Sequence, residues 1–115
     1  MLSLNNYDYG SVFTIDFPMT KAERIQTFAS ASSHAMTLCA VDLDPQGKPR
    51  KWKVENSWGL NSGIGGHLIM TDEWFDEYMF RLVVERRFVP EATLRLLDQT
   101  PTLLPAWDPL FKVED

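Results

Sequence analysis

Few residues of this chain combine a reactive group with a setting that could use it. Two histidines, His34 and His67, a single cysteine, Cys39, and one asparagine set among apolar residues, Asn56, are the candidates. In the stretch KWKVENSWG, Lys51 to Gly59, side chains alternate across a strand. Trp52, Val54, Asn56 and Trp58 then face one way, and Lys51, Lys53, Glu55 and Ser57 the other. A primary amide on the drier face needs hydrogen-bond partners, because leaving a buried polar group unpaired costs roughly 1–3 kcal/mol. His34 is a suitable partner. An imidazole that donates to an amide oxygen has its tautomer and orientation fixed and keeps its second nitrogen for proton transfer. Asn56 can thus be the orienting member of a Cys-His-Asn set.

The elements that must bring these groups together follow from local patterns. SHAMTLCAVDLD (33–44) reads as a strand apolar on both faces and therefore interior. DPQGKP is a turn signal, and KWKVENSWG returns as the partner strand of a long hairpin. With the turn at Gln46-Gly47, His34 lies 12 or 13 residues before it and Asn56 9 or 10 after it, so a bulge or offset turn must close the remaining register. GLNSGIGG forms a loop and HLIM a short strand. Thr71 caps a helix over TDEWFDEYM, whose early acids suit the helix dipole. Thr20 and Glu23 form a capping box for a helix over KAERIQTFA. YGSVFTIDF (9–17) and MFRLVVERRFV (79–89) alternate as strands, and the tail from Pro101 to Asp115 is extended.

Composition narrows the function classes. At 115 residues and 44% hydrophobic content, the chain suits one globular domain over 1–115. A net charge of −5 without a basic cluster argues against nucleic acid as a partner. No apolar run reaches the roughly 20 residues of a membrane span, and MLSLNNYDYG lacks the pattern of a signal peptide. A cytoplasmic location is expected, and a lone cysteine agrees with a reducing compartment. No metal-ligand spacing such as C-x₂₋₄-C or H-x₃₋₅-H is present, so no metal and no cofactor are expected. GIGG lacks the Lys of a phosphate-binding loop and reads as a turn.

SHAMTLCAVDLD, then KWKVENSWG and a glycine-rich loop, resembles the histidine and asparagine blocks of papain-like cysteine peptidases, in particular the bleomycin hydrolase and aminopeptidase C branch. NNYDYGSVFTIDFPMTKAER, TDEWFDEYMFRLVV and LLPAWDP extend the resemblance over nearly the whole chain. It implies an α+β papain-like fold, chiefly its antiparallel β-rich half with short helices. It also implies His34 as general acid and base, Asn56 as its orienting partner, and Trp58 as the ring shielding their hydrogen bond from water. The implied ligand is a peptide substrate.

The family's nucleophile sits upstream in a CGSCW-like context that this chain lacks. Cys39 is no substitute: five residues beyond His34 on one strand, it would lie about 16 Å away at roughly 3.3 Å per residue, on the opposite face. The resemblance therefore implies that a Cys-bearing N-terminal portion lies outside this chain, and that the chain alone is inactive. Homo-oligomers are expected, because a domain parted from its other half exposes the apolar face between them. In the family, a C-terminal arm places its terminal carboxylate in the cleft to receive the substrate's amino group. Here residues 101–115 take that place and Asp115 is the terminus, although LFKVED departs from the family's ending. The competing reading is a non-catalytic remnant or β-rich interaction module.

Overall fold

The turn DPQGKP is closed by its own first residue. The Asp44 carboxylate accepts from the backbone N–H groups of Gln46 and Lys48, both at 2.8 Å, and Asp44 N–H donates to the Lys48 carbonyl. Gly47 takes the left-handed φ of 80° that this turn requires. In the computed structural model, which describes residues 1–108, this turn joins β1 (Thr37–Leu43) to β2 (Pro49–Glu55), and β3 (His67–Thr71) lies on the far side of β2. All pairings between these strands are antiparallel. β2 and β3 pair regularly from Lys51↔Thr71 to Glu55↔His67. β1 and β2 slip twice, between Leu38 and Ala40 and between Asp42 and Leu43.

The outer edge of β3 is covered by the amino-terminal segment: Leu2 N–H donates to Ile69 O at 2.7 Å, and Leu2 O accepts from Thr71 N–H at 2.9 Å. On the inner face of the sheet, Val54 and Met70 are buried at 1% and 3% exposure. Helix α3 (Asp72–Tyr78) starts at the expected Thr71 cap, whose hydroxyl accepts from Trp74 N–H. It packs on the same face. Trp52 stacks on Phe75 with centroids 4.6 Å apart, and its indole N–H donates to Asp72 at 2.7 Å. The polar tip of the tryptophan is thereby satisfied while its rings cover the sheet.

Helix α1 spans Tyr9–Phe13 and α2 Lys21–Gln26; α2 carries the expected Thr20–Glu23 capping box, although it is shorter than KAERIQTFA. α2 is anchored to the carboxyl end of α3. Lys21 Nζ donates to the carbonyls of Asp76 and Met79, and Arg24 bonds the Glu77 carboxylate at 2.7 Å. Cations at a helix carboxyl end satisfy its unpaired carbonyls and suit its dipole.

Two expected strands are absent. Tyr9–Phe13 is helical because Asp8 caps it, accepting from Ser11 N–H at 3.0 Å, and because Tyr9 and Phe13 stack at helical spacing. Residues 79–85 have no regular structure and Arg86–Phe88 is a 3-10 turn. β-branched composition makes a strand only where a neighbouring strand completes the ladder, and among the described residues none pairs with this segment. Pro90 then opens α4 (Glu91–Leu94), which runs into a 3-10 turn over Arg95–Asp98. Residues 101–105 are irregular, with a turn at Ala106 and Trp107. The rest of the expected C-terminal arm lies outside the described residues.

β1 also differs from expectation. It is the sheet edge, exposed along its length, with Leu38, Val41 and Leu43 open to solvent. A folded monomer of this mass exposes about 6,400 Å², whereas this chain exposes 9796 Å². Its apolar residues are sufficient in number for a core, but many of them stay exposed among the described residues.

Candidate active site

Asn56 follows the last residue of β2, and the pairing continues one step through it: its N–H donates to the Gly66 carbonyl at 2.9 Å. Gly66 belongs to a tight loop in which Ser62 N–H donates to Gly59 O, Gly66 N–H to Ser62 O, and Ile64 and His67 exchange two backbone bonds. Gly63 permits this closure. Its φ is +63°, and a Cβ there would stand 2.3 Å from the His67 carbonyl oxygen. The glycines thus clamp the backbone from which the Asn56 side chain projects, and Asn56 is buried at 7% exposure.

His34 comes from the other side of the hairpin, although not from a strand. Residues 31–36 are irregular and β1 begins at Thr37, so His34 approaches Asn56 from a free segment. Continuing the Thr37↔Glu55 register would set Met36 opposite Asn56. The two-residue remainder is closed by this departure from the strand. The β1 bulge sits further along, between Leu38 and Ala40.

The imidazole and amide meet as expected: His34 Nε2 lies 2.8 Å from Asn56 Oδ1. The same oxygen accepts from Ser57 N–H at 2.8 Å. A backbone N–H can only donate, so this atom is the amide oxygen, and Nε2 must carry the proton it offers. In the neutral ring Nδ1 is then left with a lone pair. Asn56 Nδ2 is buried without a partner among the described residues. Trp58 stands beside the pair in the turn after β2, its rings 5.5 Å from the His34 ring and tilted by 37°. It is itself 66% exposed, so it flanks the imidazole without enclosing it.

Cys39 is not part of this arrangement. Its thiol points to the Thr37 carbonyl at 3.3 Å. It shares a cluster with Glu55 and His67, whose ligand atoms all lie within 4.8 Å of one another. Glu55 leaves β2 on the face opposite Asn56, and His67 is its direct partner on β3. Sequence spacing did not disclose this trio, because its members come from three strands and meet only through their register. Asp115, expected at the substrate's amino end, lies outside the described residues.

Residues 1–111 match the family described as the peptidase C1-like family. The chain is 49% identical over 110 residues to bleomycin hydrolase of Homo sapiens, covering 93% of this chain and 24% of that protein. It is 41% identical to aminopeptidase C of Lactococcus lactis, covering 96% and 25%. The crystal structure of PepW from Lactobacillus rhamnosis superposes with a TM-score of 0.79 at 41% identity, over 94% of this chain and 25% of that one. The chain thus spans about a quarter of the length of the relatives it matches. Its three-stranded antiparallel sheet with short helices is part of a papain-like α+β fold.

Proposed function

The chain belongs to the peptidase C1-like family, and from that premise we propose that it supplies the histidine and asparagine of a cysteine-type peptidase whose nucleophile lies in polypeptide outside this chain. The observation that carries this reading is the 2.8 Å bond between His34 Nε2 and Asn56 Oδ1, with Ser57 N–H on the same oxygen. It turns Nδ1 into the one ring nitrogen available for chemistry.

The steps follow from that assignment. The external thiol gives its proton to Nδ1, forming a thiolate and imidazolium pair, and the thiolate attacks the peptide carbonyl carbon. His34 returns the Nδ1 proton to the leaving nitrogen as the C–N bond breaks. Water, deprotonated by Nδ1, then cleaves the thioester and restores the thiol. Asn56 holds the ring in place throughout, and Trp58 lines one side.

The uncovered apolar surface, including Leu38, Val41 and Leu43 of β1, supports a docking face for the Cys-bearing portion and for further copies in a homo-oligomer. Amino-terminal trimming, the activity that the name aminopeptidase C gives to that relative, would need a carboxylate such as that of Asp115 to receive the substrate's amino group. The test is hydrolysis of an aminoacyl or peptidyl fluorogenic substrate by the intact peptidase and its His34→Ala variant. Loss of turnover is expected. Retained turnover would leave the reading of a non-catalytic module.

A further inference from the structure

We propose that the sheet face opposite Asn56 carries a site for a zinc-class divalent ion, held by the Cys39 thiolate, the Glu55 carboxylate and the His67 imidazole. Cross-strand pairing sets Glu55 beside His67. The irregularity between Leu38 and Ala40 makes Cys39 the extra residue of β1, and such bulges re-aim a side chain. The three ligand atoms lie within 4.8 Å of one another. In a tetrahedral site with bonds of 2.0–2.3 Å the ligands sit about 3.3–3.8 Å apart, so closure requires a movement of roughly 1 Å. Cys39 and Glu55 are exposed and free to make it, and the ion can enter from solvent.

A second observation points to a ligand. His67 Nδ1 lies 2.9 Å from the Gly65 carbonyl, which can only accept, so Nδ1 carries the proton and Nε2 holds the lone pair. A backbone carbonyl fixing the tautomer through the other ring nitrogen is the usual support of a metal-ligating histidine. The donor set of one sulfur, one nitrogen and one oxygen suits zinc over magnesium or calcium, which prefer oxygen alone. Binding releases the Cys39 thiol proton to solvent and leaves a fourth position for water. The ion would tie β1, β2 and β3 together at the end from which Asn56 departs. It does not depend on the peptidase reading.

The test is titration of the intact polypeptide carrying this chain with Co²⁺, then Zn²⁺ competition, in a His34→Ala background that disables the proposed peptidase site. One equivalent of Co²⁺ with a thiolate charge-transfer band is expected. Cys39→Ser should abolish the band, and Glu55→Gln and His67→Gln should each weaken binding by at least roughly tenfold, as loss of a ligand must. Zn²⁺ should raise the melting temperature of the parent and leave that of Cys39→Ser unmoved. Absence of the band, or its survival in Cys39→Ser, overturns the site. Unchanged affinity in both Glu55→Gln and His67→Gln overturns it as well.

Discussion

At the end of β2 two consecutive side chains leave the sheet on opposite faces, and each has a histidine beside it. Asn56 bonds His34 through Nε2, while Glu55 stands opposite His67, whose Nδ1 is held by the Gly65 carbonyl. The two imidazoles are thus fixed by opposite nitrogens, one leaving Nδ1 and the other Nε2 for further use. Their surroundings differ in the same sense. The amide that orients His34 is buried, and its backbone is clamped by the glycine loop. The companions of His67 are two exposed side chains that can still move. The proposed function asks the first face to be preorganised for proton transfer, and the proposed ion site asks the second to be adaptable.

The comparison breaks most sharply at the histidines. His34→Ala should lower kcat/KM of the intact peptidase by roughly 10²–10⁴-fold, the usual contribution of general acid–base catalysis. His67→Gln should leave it within about twofold. Equal losses in steady-state assays would dissolve the distinction between the faces. Asn56→Ala should cost roughly 10- to 100-fold in kcat with KM little changed, since a hydrogen bond to a charged group contributes about 1.5–3 kcal/mol.

Gly63→Ala probes the clamp. The added Cβ collides with the His67 carbonyl at a left-handed φ, and a destabilisation of about 1–3 kcal/mol is expected in denaturant unfolding. The smallest effect concerns the cap of α2. Glu23 is held below its ordinary pKa by the backbone bond from Thr20, then by the Thr20 hydroxyl bond. The lowered folded value means that its stabilisation is present above the unfolded carboxylate pKa and fades as pH falls through the folded one. The group is fully exposed, so the slope is slight. Carboxyl NMR titration should place Glu23 below an ordinary glutamate, and Thr20→Ala should raise it only part of the way, because the backbone bond remains.

Much of the hairpin and two of the helix starts were readable because they are local. Asp44-x-x-Gly47, Thr20-x-x-Glu23 and the Thr71 cap act within one turn of chain, and the structure keeps each of them. The His34–Asn56 contact was readable by counting from the turn, although the route to it was not: His34 leaves the strand, and no residue pattern in SHAMT marks that point. What failed depended on neighbours. Residues 79–89 have strand composition and no ladder partner among the described residues. β1 has interior composition and an exposed edge position. In Tyr9–Phe13 the Asp8 cap outweighed a loose alternation. The Cys39, Glu55 and His67 cluster required the register of three strands and a bulge, information that spacing along one strand does not hold.

The central claim is that His34 activates a thiol outside this chain. Its most direct measurement is labelling of the intact native peptidase with a cysteine-directed peptidyl probe, followed by mass mapping of the modified peptide, in parent and His34→Ala proteins. The account predicts labelling at a cysteine other than Cys39, lost in His34→Ala. Labelling confined to Cys39, or labelling indifferent to His34, would contradict it.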